Sequence, residues 1–385
     1  MRATSARDSV ACIATANGNL YGLKLAAFIF LVGMSDSIRR PSFFYAAAYS
    51  VAPRHRPCLD PVPERAAARL CALPVDVPIS HRTMATVETT RTPRPLHAEA
   101  ESAPLVGRLG PWQLVRLLSE GNFTRVYQSR PADAPDNLPA AYVVKVLRNQ
   151  WWRDPQAIEM QRREAWVGTQ VSHPNLLPVL SASVSEPPFY VVSPKLDGVP
   201  LAQLILEHEK LPVPFALWIA RQVADGLAAL VEATGMIHTD VKPANVLVSA
   251  AGHATLIDFG FVQTPAEASQ WATRPLAGTL AYIAPEMVTS ALAAGPRSDI
   301  YSLGVTLYEM LTGRRPWDSD DPGELATLHR QAKPINIRAI RPEVPDAVAE
   351  LAHSMLAKDP LRRPSSAREL ATRLIRLEIE SFTMR

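Results

Sequence analysis

Cysteine is scarce and confined to one end of the chain. Three occur among 385 residues, Cys12, Cys58 and Cys71, so nothing beyond residue 71 can hold a disulfide, a thiolate nucleophile or a cysteine zinc site. That usage fits a reducing compartment, and a cytoplasmic location is expected. Long apolar runs are lacking as well. The longest, residues 20–34, contains Lys24 and falls short of the roughly 20 residues that cross a bilayer. Asp8 interrupts the basic lead a signal peptide would need, so membrane association is not expected. Neither sign of charge dominates: 40 Lys and Arg oppose 37 Asp and Glu. Residues 1–83 hold ten basic and five acidic side chains, leaving 30 against 32 for the remainder. With no basic block or stripe, no nucleic-acid partner is expected.

Tryptophan is absent before Trp112, and all seven follow from there. The first hundred residues are rich in Ala, Arg, Pro and Ser without sustained period, so residues 1–105 are expected to form an N-terminal extension lacking a core of its own. Within it Met84 opens a polar lead-in, MATVETTRTPRPLHAEAE, and is an alternative start. From residue 105 the pattern changes. β-rich runs at 112–118, 125–129, 141–147, 176–184 and 189–192 are separated by Gly, Pro, Asp and Asn clusters. Helical spacing occupies 154–171, then 201–205, 213–232, 298–312, 323–331, 346–356 and 366–378. An α+β chain is predicted: a five-stranded antiparallel β lobe with one helix (108–193), followed by a mainly α lobe (197–378).

A set of short motifs punctuates these elements in fixed order. Val143-Val144-Lys145 ends a strand, and Glu164 lies in the helix after it. Next come His238-Thr239-Asp240-Val241-Lys242-Pro243-Ala244-Asn245, Asp258-Phe259-Gly260 and Ala284-Pro285-Glu286. Each alone is weak; the order is not a coincidence of composition. The set resembles the eukaryotic-type protein kinase family, and the compact C-terminal part resembles its bacterial members. The resemblance covers about residues 108–378 and implies a two-lobed kinase fold. It also implies ATP and Mg²⁺ as cofactors, Ser and Thr hydroxyls of protein substrates as acceptors, and autophosphorylation.

The physical chemistry of the motifs can be read beside the resemblance. Phosphoryl transfer requires a triphosphate held in line with a hydroxyl and its charge neutralised. Val143 and Lys145 share a strand face at period two, which brings the ammonium into a cleft beside an apolar contact. A strand lysine is ordinarily a solvated surface residue, but Glu164, nineteen positions on, argues for an ion pair. Asp240 and Asn245 flank Pro243 in a loop, and Asp258 stands at a strand end as a hard oxygen ligand suited to magnesium. Carried over from the family, the catalytic residues are Asp240 (accepting the hydroxyl proton), Lys242, Asn245 and Lys145. Asn245 and Asp258 would hold Mg²⁺. Nucleotide contacts fall to Ser119, Gly121, Val126, Val143, Lys145, Glu164, Ser193 as gatekeeper, Leu196, Leu247 and Asp258. Thr279 would shape the acceptor site, Glu286 would pair with Arg363, and Asp299 would buttress the catalytic loop. Residues 261–279, with Thr264, Ser269 and Thr273, match an activation loop. His238 is expected to be a packing residue.

The sequence departs from the family in four places. Ser119 and Thr124 stand where the first and third glycines of the phosphate loop are expected, which predicts a stiffer loop. Thr239 replaces the arginine that ordinarily meets an activation-loop phosphate, so activity independent of such phosphorylation is expected. Gly168 occupies a position usually filled by a large apolar residue, with Trp166, Val167 and Val171 as candidate fillers. A second reading therefore stands beside the first: a pseudokinase acting as a nucleotide-binding or scaffolding module. A small-molecule kinase of related fold is a third, opposed by Lys242, Thr279 and Ala284-Pro285-Glu286.

Overall fold

The computed structural model describes residues 107–135, 137–269, 280–288 and 294–383. The extension 1–105, Met84, Thr273 and Thr279 lie outside them. An antiparallel sheet forms from β1 (Gly107–Leu109), β2 (Trp112–Glu120), β3 (Thr124–Pro131), β4 (Tyr142–Leu147), β5 (Ser181–Ser183) and β6 (Tyr190–Pro194), in the order β1-β2-β3-β4-β6-β5. The fold is the two-lobed α+β arrangement expected, with six strands in this sheet rather than five. The added strand, β1, is three residues long and joins β2 through Gly110 at φ +54°, too short to carry a period. The run 176–184 shrinks to β5. Pro178 has no amide hydrogen to give a ladder, and the residues before it bond to the other lobe instead. Leu177 N donates to Leu256 O (3.0 Å) and Leu256 N to Asn175 O (2.8 Å).

Helix α1 (Pro155–Gln170) starts where Asp154 Oδ1 accepts the amides of Gln156 and Ala157, both at 2.9 Å, with proline at the first helical position. It docks on β4 through Gln161 Nε2, which donates to Lys145 O at 2.9 Å. On its inner side Gly168 meets Val179: a Cβ built there would lie 2.6 Å from Val179 Cβ and closer still to its Cγ2. Val179 therefore fills the space that a large residue at 168 would take. Trp166, one of the three candidate fillers, is 45% exposed and does not. In most helices Gly→Ala stabilises by about 1 kcal/mol. Gly168→Ala is expected to do the opposite, lowering stability by about 1–3 kcal/mol through overpacking. Urea unfolding checks the sign, and a raised midpoint would refute the packing account.

The second lobe holds α2 (Leu201–His208), α3 (Val213–Thr234), α4 (Pro265–Ser269), α5 (Pro296–Thr312), α6 (Pro322–Gln331), α7 (Ile337–Ile340), α8 (Asp346–Met355) and α9 (Ala367–Thr383). A small sheet of β7 (Val199–Pro200), β8 (Val246–Val248) and β9 (Ala254–Leu256) meets residues 175–177 through the two bonds at Leu256. Leu217, Ile219 and Leu230 of α3 and Ile300, Leu303 and Leu307 of α5 are fully buried in one core. Gly235 and Gly313 end these helices in the left-handed region, their amides returning to Val231 O and Glu309 O. Helix α3 is long and apolar enough to cross a membrane, yet 72% of its most apolar window is buried inside this lobe. It is the core helix its burial makes it.

Candidate active site

Strand alternation places the first part of the site. Val144 is fully buried in the core of the first lobe, which turns Val143 and Lys145 to the opposite face. Directly opposed residues share a face. Val126 pairs with Lys145 and Ser193 with Val143, so all four line one surface. Ser193 is buried there. Lys145 Nζ contacts Glu164 Oε2 at 2.8 Å and Asp258 Oδ1 at 2.7 Å, joining β4, α1 and the end of β9. Burial opposes the ammonium, but the two carboxylates, Asp258 foremost, outweigh it and hold the Lys145 pKa above its ordinary value. For Glu164 burial wins and the pKa is raised. For Asp258 burial is overcome by Lys145 and by the Gly260 amide, and the pKa is lowered. Attraction to Lys145 thus outweighs burial at Asp258 and not at Glu164.

The loop after α3 supplies the second part. Lys242 Nζ lies 2.9 Å from Asp240 Oδ1 and 2.8 Å from Oδ2, while Asn245 Nδ2 donates to Asp240 O (2.9 Å) and Oδ2 (2.8 Å). Burial raises the Asp240 pKa against the pull of Lys242. Asp299 of α5 accepts the amides of His238 (2.7 Å) and Thr239 (2.8 Å), and so fixes the loop from beneath. Burial lifts Asp299 to about 7 despite those two bonds. Ile257 N donates to Asn245 O at 2.8 Å, which sets Asn245 and Asp258 on either side of one backbone bond. Thr239 and Asp258 have positive φ, 64° and 72°, a conformation that costs non-glycine residues energy and concentrates at functional sites. Leu196 and Leu247 line a pocket of about 460 Å³ with His173, Asp197 and His253. Neither the Lys145 surface nor the Asp240 loop contributes to that pocket. Farther off, Glu286 and Arg363 form a buried pair.

Donor chemistry fits a magnesium ion. With its amide nitrogen turned to Asp240, Asn245 has its oxygen available, and together with the Asp258 carboxylate it makes a hard-oxygen set. Among the described residues there is no cluster of three or more His, Cys, Asp or Glu that would suit a transition metal instead.

Residues 112–375 match the family described as protein kinase domain. The chain belongs to the protein kinase family. It is 32% identical over 261 residues to the "probable serine/threonine-protein kinase PknB" of Lactococcus lactis, a match covering 68% of this chain and 41% of that protein. Serine/threonine-protein kinase PrkC of Bacillus subtilis is 29% identical, with 68% and 39% covered. Serine/threonine-protein kinase PknA of Mycobacterium tuberculosis is 32% identical, with 66% and 58% covered. The matched segment thus spans between about two-fifths and three-fifths of the length of these kinases.

The turn between β2 and β3 keeps one glycine, Gly121, and carries no backbone strain. Neither Ser119, Gly121 nor Thr124 has positive φ; Ser119 pairs with Val126 in the β2–β3 ladder, and Gly121 N closes the turn on Thr124 O at 2.8 Å. Two side chains outside the motif hold the turn as well: Arg148 Nη1 donates to Gly121 O (3.2 Å) and Trp151 Nε1 to Asn122 O (2.8 Å).

His238 is fully buried and meets the Phe259 ring edge-on at 5.8 Å. Burial chiefly holds its pKa down at about 4, with Asp258 opposing and Lys242 adding. Unfolded, the imidazole titrates near 6.5, so across the interval between these values the unfolded chain binds the extra proton. The stability of keeping it neutral is whole above pH 6.5 and falls by about 1.4 kcal/mol per unit towards pH 4. Asp299 works the other way, since its protonation below about pH 7 favours the folded state. Comparing urea unfolding of wild type and His238→Phe from pH 7 to 4 isolates the histidine. The variant is expected to lose less stability on acidification, and parallel curves would contradict this.

Proposed function

We propose that this chain is a Ser/Thr protein kinase that transfers the γ-phosphoryl group of ATP to hydroxyls of protein substrates, itself included. The observation that carries the reading is the Asp240 carboxylate held jointly by Lys242 and Asn245, facing the Lys145, Glu164 and Asp258 triad. In the reaction an acceptor oxygen bonds to Pγ, the bond from Pγ to the β-bridging oxygen breaks, and ADP leaves. Asp240 takes the acceptor's proton, a role to which its raised pKa is suited. Lys242, beside it, neutralises charge on the moving phosphoryl, and Lys145 steadies the other phosphates. Asn245 and Asp258 are the residues that would hold Mg²⁺, which neutralises phosphate charge when bound. Val126, Val143, Ser193, Leu196 and Leu247 are assigned to the base, and Ser119 and Gly121 to the phosphates. Thr279 is assigned to the acceptor, Asp299 and the Glu286–Arg363 pair to support.

Lysine at 242 favours Ser and Thr over Tyr as acceptor class. The scarcity of cysteine and the need for ATP favour the cytoplasm. The test is γ-phosphate transfer from Mg-ATP to a generic basic protein and to the kinase itself, comparing the full chain with one starting at Met84. Transfer by both supports the reading and makes the extension dispensable. No transfer by either, with ATP still raising the melting temperature, points to a nucleotide-binding pseudokinase.

A further inference from the structure

The segment that follows Asp258-Phe259-Gly260 is tied down at several points. Thr239 Oγ1 donates to Phe261 O at 2.6 Å, and Ile237 and Gln263 exchange two backbone bonds of 2.8 and 3.0 Å. Beyond them Thr264 and Glu267 form a reciprocal cap on α4. Glu267 Oε2 accepts from Thr264 N (2.8 Å) and Oγ1 (2.9 Å), and Glu267 N donates to Thr264 Oγ1 (3.3 Å). Both oxygens of Glu267 also take a guanidinium. Arg163 Nη1 lies 3.2 Å from Oε2 and Nη2 3.0 Å from Oε1, and Nη1 donates to Val262 O at 3.0 Å as well. Glu159, one turn back on α1, completes the set at 3.3 Å from Nη2.

Arg163 is the neighbour of Glu164 on α1. A bidentate arginine–carboxylate bond constrains direction as well as distance, so the position of Glu267 is transmitted to the helix that presents Glu164 to Lys145. The catalytic loop offers no cation at 239 for a phosphate to meet: an uncharged Thr239 stands there, its hydroxyl bonded to Phe261 O. The cation facing this segment comes from α1 instead, and a carboxylate already occupies it.

We propose that Arg163 and Glu267 are a positioning pair, Glu267 serving as a built-in anion that holds α1 in its Lys145-contacting place without added phosphate. The proposal rests on the kinase reading for its rate effect and on geometry alone for the helix. Thr264 follows as a site where modification lowers activity. A phosphate there brings about 1.5 to 2 negative charges against Glu267 and competes for Arg163.

The test uses the full chain, phosphatase-treated, as wild type, Glu267→Gln and Arg163→Lys. Glutamine can keep the cap on Thr264 through its amide oxygen, but its amide nitrogen sets a donor against Arg163 where Oε1 now accepts, so the charge and one arm of the fork are lost together. Two readouts are taken: kcat and KM for ATP, and amide hydrogen exchange across residues 155–170. Expected are a wild-type rate that phosphatase treatment does not lower and a kcat lowered about 10- to 100-fold in Glu267→Gln, the loss of a charge-assisted bond. Arg163→Lys, which keeps charge but not the fork, falls between. Exchange in 155–170 rises in the same order. A wild-type kcat in Glu267→Gln, or a wild type that phosphatase inactivates, overturns the proposal. Should the wild type transfer nothing, the kinase reading fails, and exchange alone decides: faster exchange in Glu267→Gln supports the pair, and unchanged exchange removes it.

Discussion

Asp240→Asn is expected to lower the rate of phosphoryl transfer by about 10²- to 10⁴-fold, the range of a positioned proton acceptor, while ATP continues to raise the melting temperature. The structure gives two reasons for a loss that large. An amide cannot take the acceptor's proton. It also places a donor among donors, because both carboxylate oxygens of Asp240 now face Lys242 Nζ and Oδ2 faces Asn245 Nδ2. Nucleotide affinity should survive, since the Lys145, Glu164 and Asp258 contacts are formed by other elements. Rate and thermal shift are therefore measured together on one preparation. A variant that transfers at the wild-type rate sinks the assignment of Asp240, and one that loses the ATP shift as well means that the loop has collapsed.

The motifs were legible in sequence because each does its chemistry through residue types that few others can replace, held in loops or at strand ends where spacing is local. Strand period and turn signals placed Lys145, Asp240, Asn245 and Asp258 each on its own element; that they come together was what the family resemblance implied. What was illegible depends on pairs distant along the chain. The emptiness of Gly168 could be read, but Val179 as its filler could not, because the turn that Leu176 N closes on His173 O (3.0 Å) and the bond of Val179 N to Gly168 O (3.5 Å) decide where that valine sits. Arg163 and Glu267 are 104 residues apart, and a glutamate in a polar, Ala-rich segment looks like solvated loop. One local signal was available: Thr264 followed three residues later by Glu267 is a capping box, which places a helix start in the segment. β1 carried no signal, since three residues cannot display an alternation. The departures at Ser119 and Thr124 were legible, but the bonds that Arg148 and Trp151 make to the turn between them were not, since both donors lie beyond β4.

The other large effect is on stability. Glu286 and Arg363 have side chains 1% and 0% exposed, and their fork is closed, Nη1 to Oε1 at 2.6 Å and Nη2 to Oε2 at 2.8 Å. Ser298 Oγ adds a bond to Glu286 at 2.7 Å, and Arg363 donates further to Ala357 O, Arg297 O and Lys358 O while lying 4.8 Å over the Tyr301 ring. Truncating either partner strands a buried charge, at about 3–5 kcal/mol. Against a typical total of about 5–15 kcal/mol that is enough to leave part of the chain unfolded near 37 °C. Glu286→Leu and Arg363→Met are each expected to lose that much by urea unfolding. Together they should lose far less than the sum, because the double variant leaves no unpaired charge. Arg363→Lys should behave like a truncation: an ammonium cannot serve the carboxylate and three carbonyls with the planar fork that fits them now. Additive losses in the double variant would show that each side chain acts through its own backbone bonds, and the pair would then be a consequence of the fold around Pro285-Glu286-Met287 rather than one of its supports.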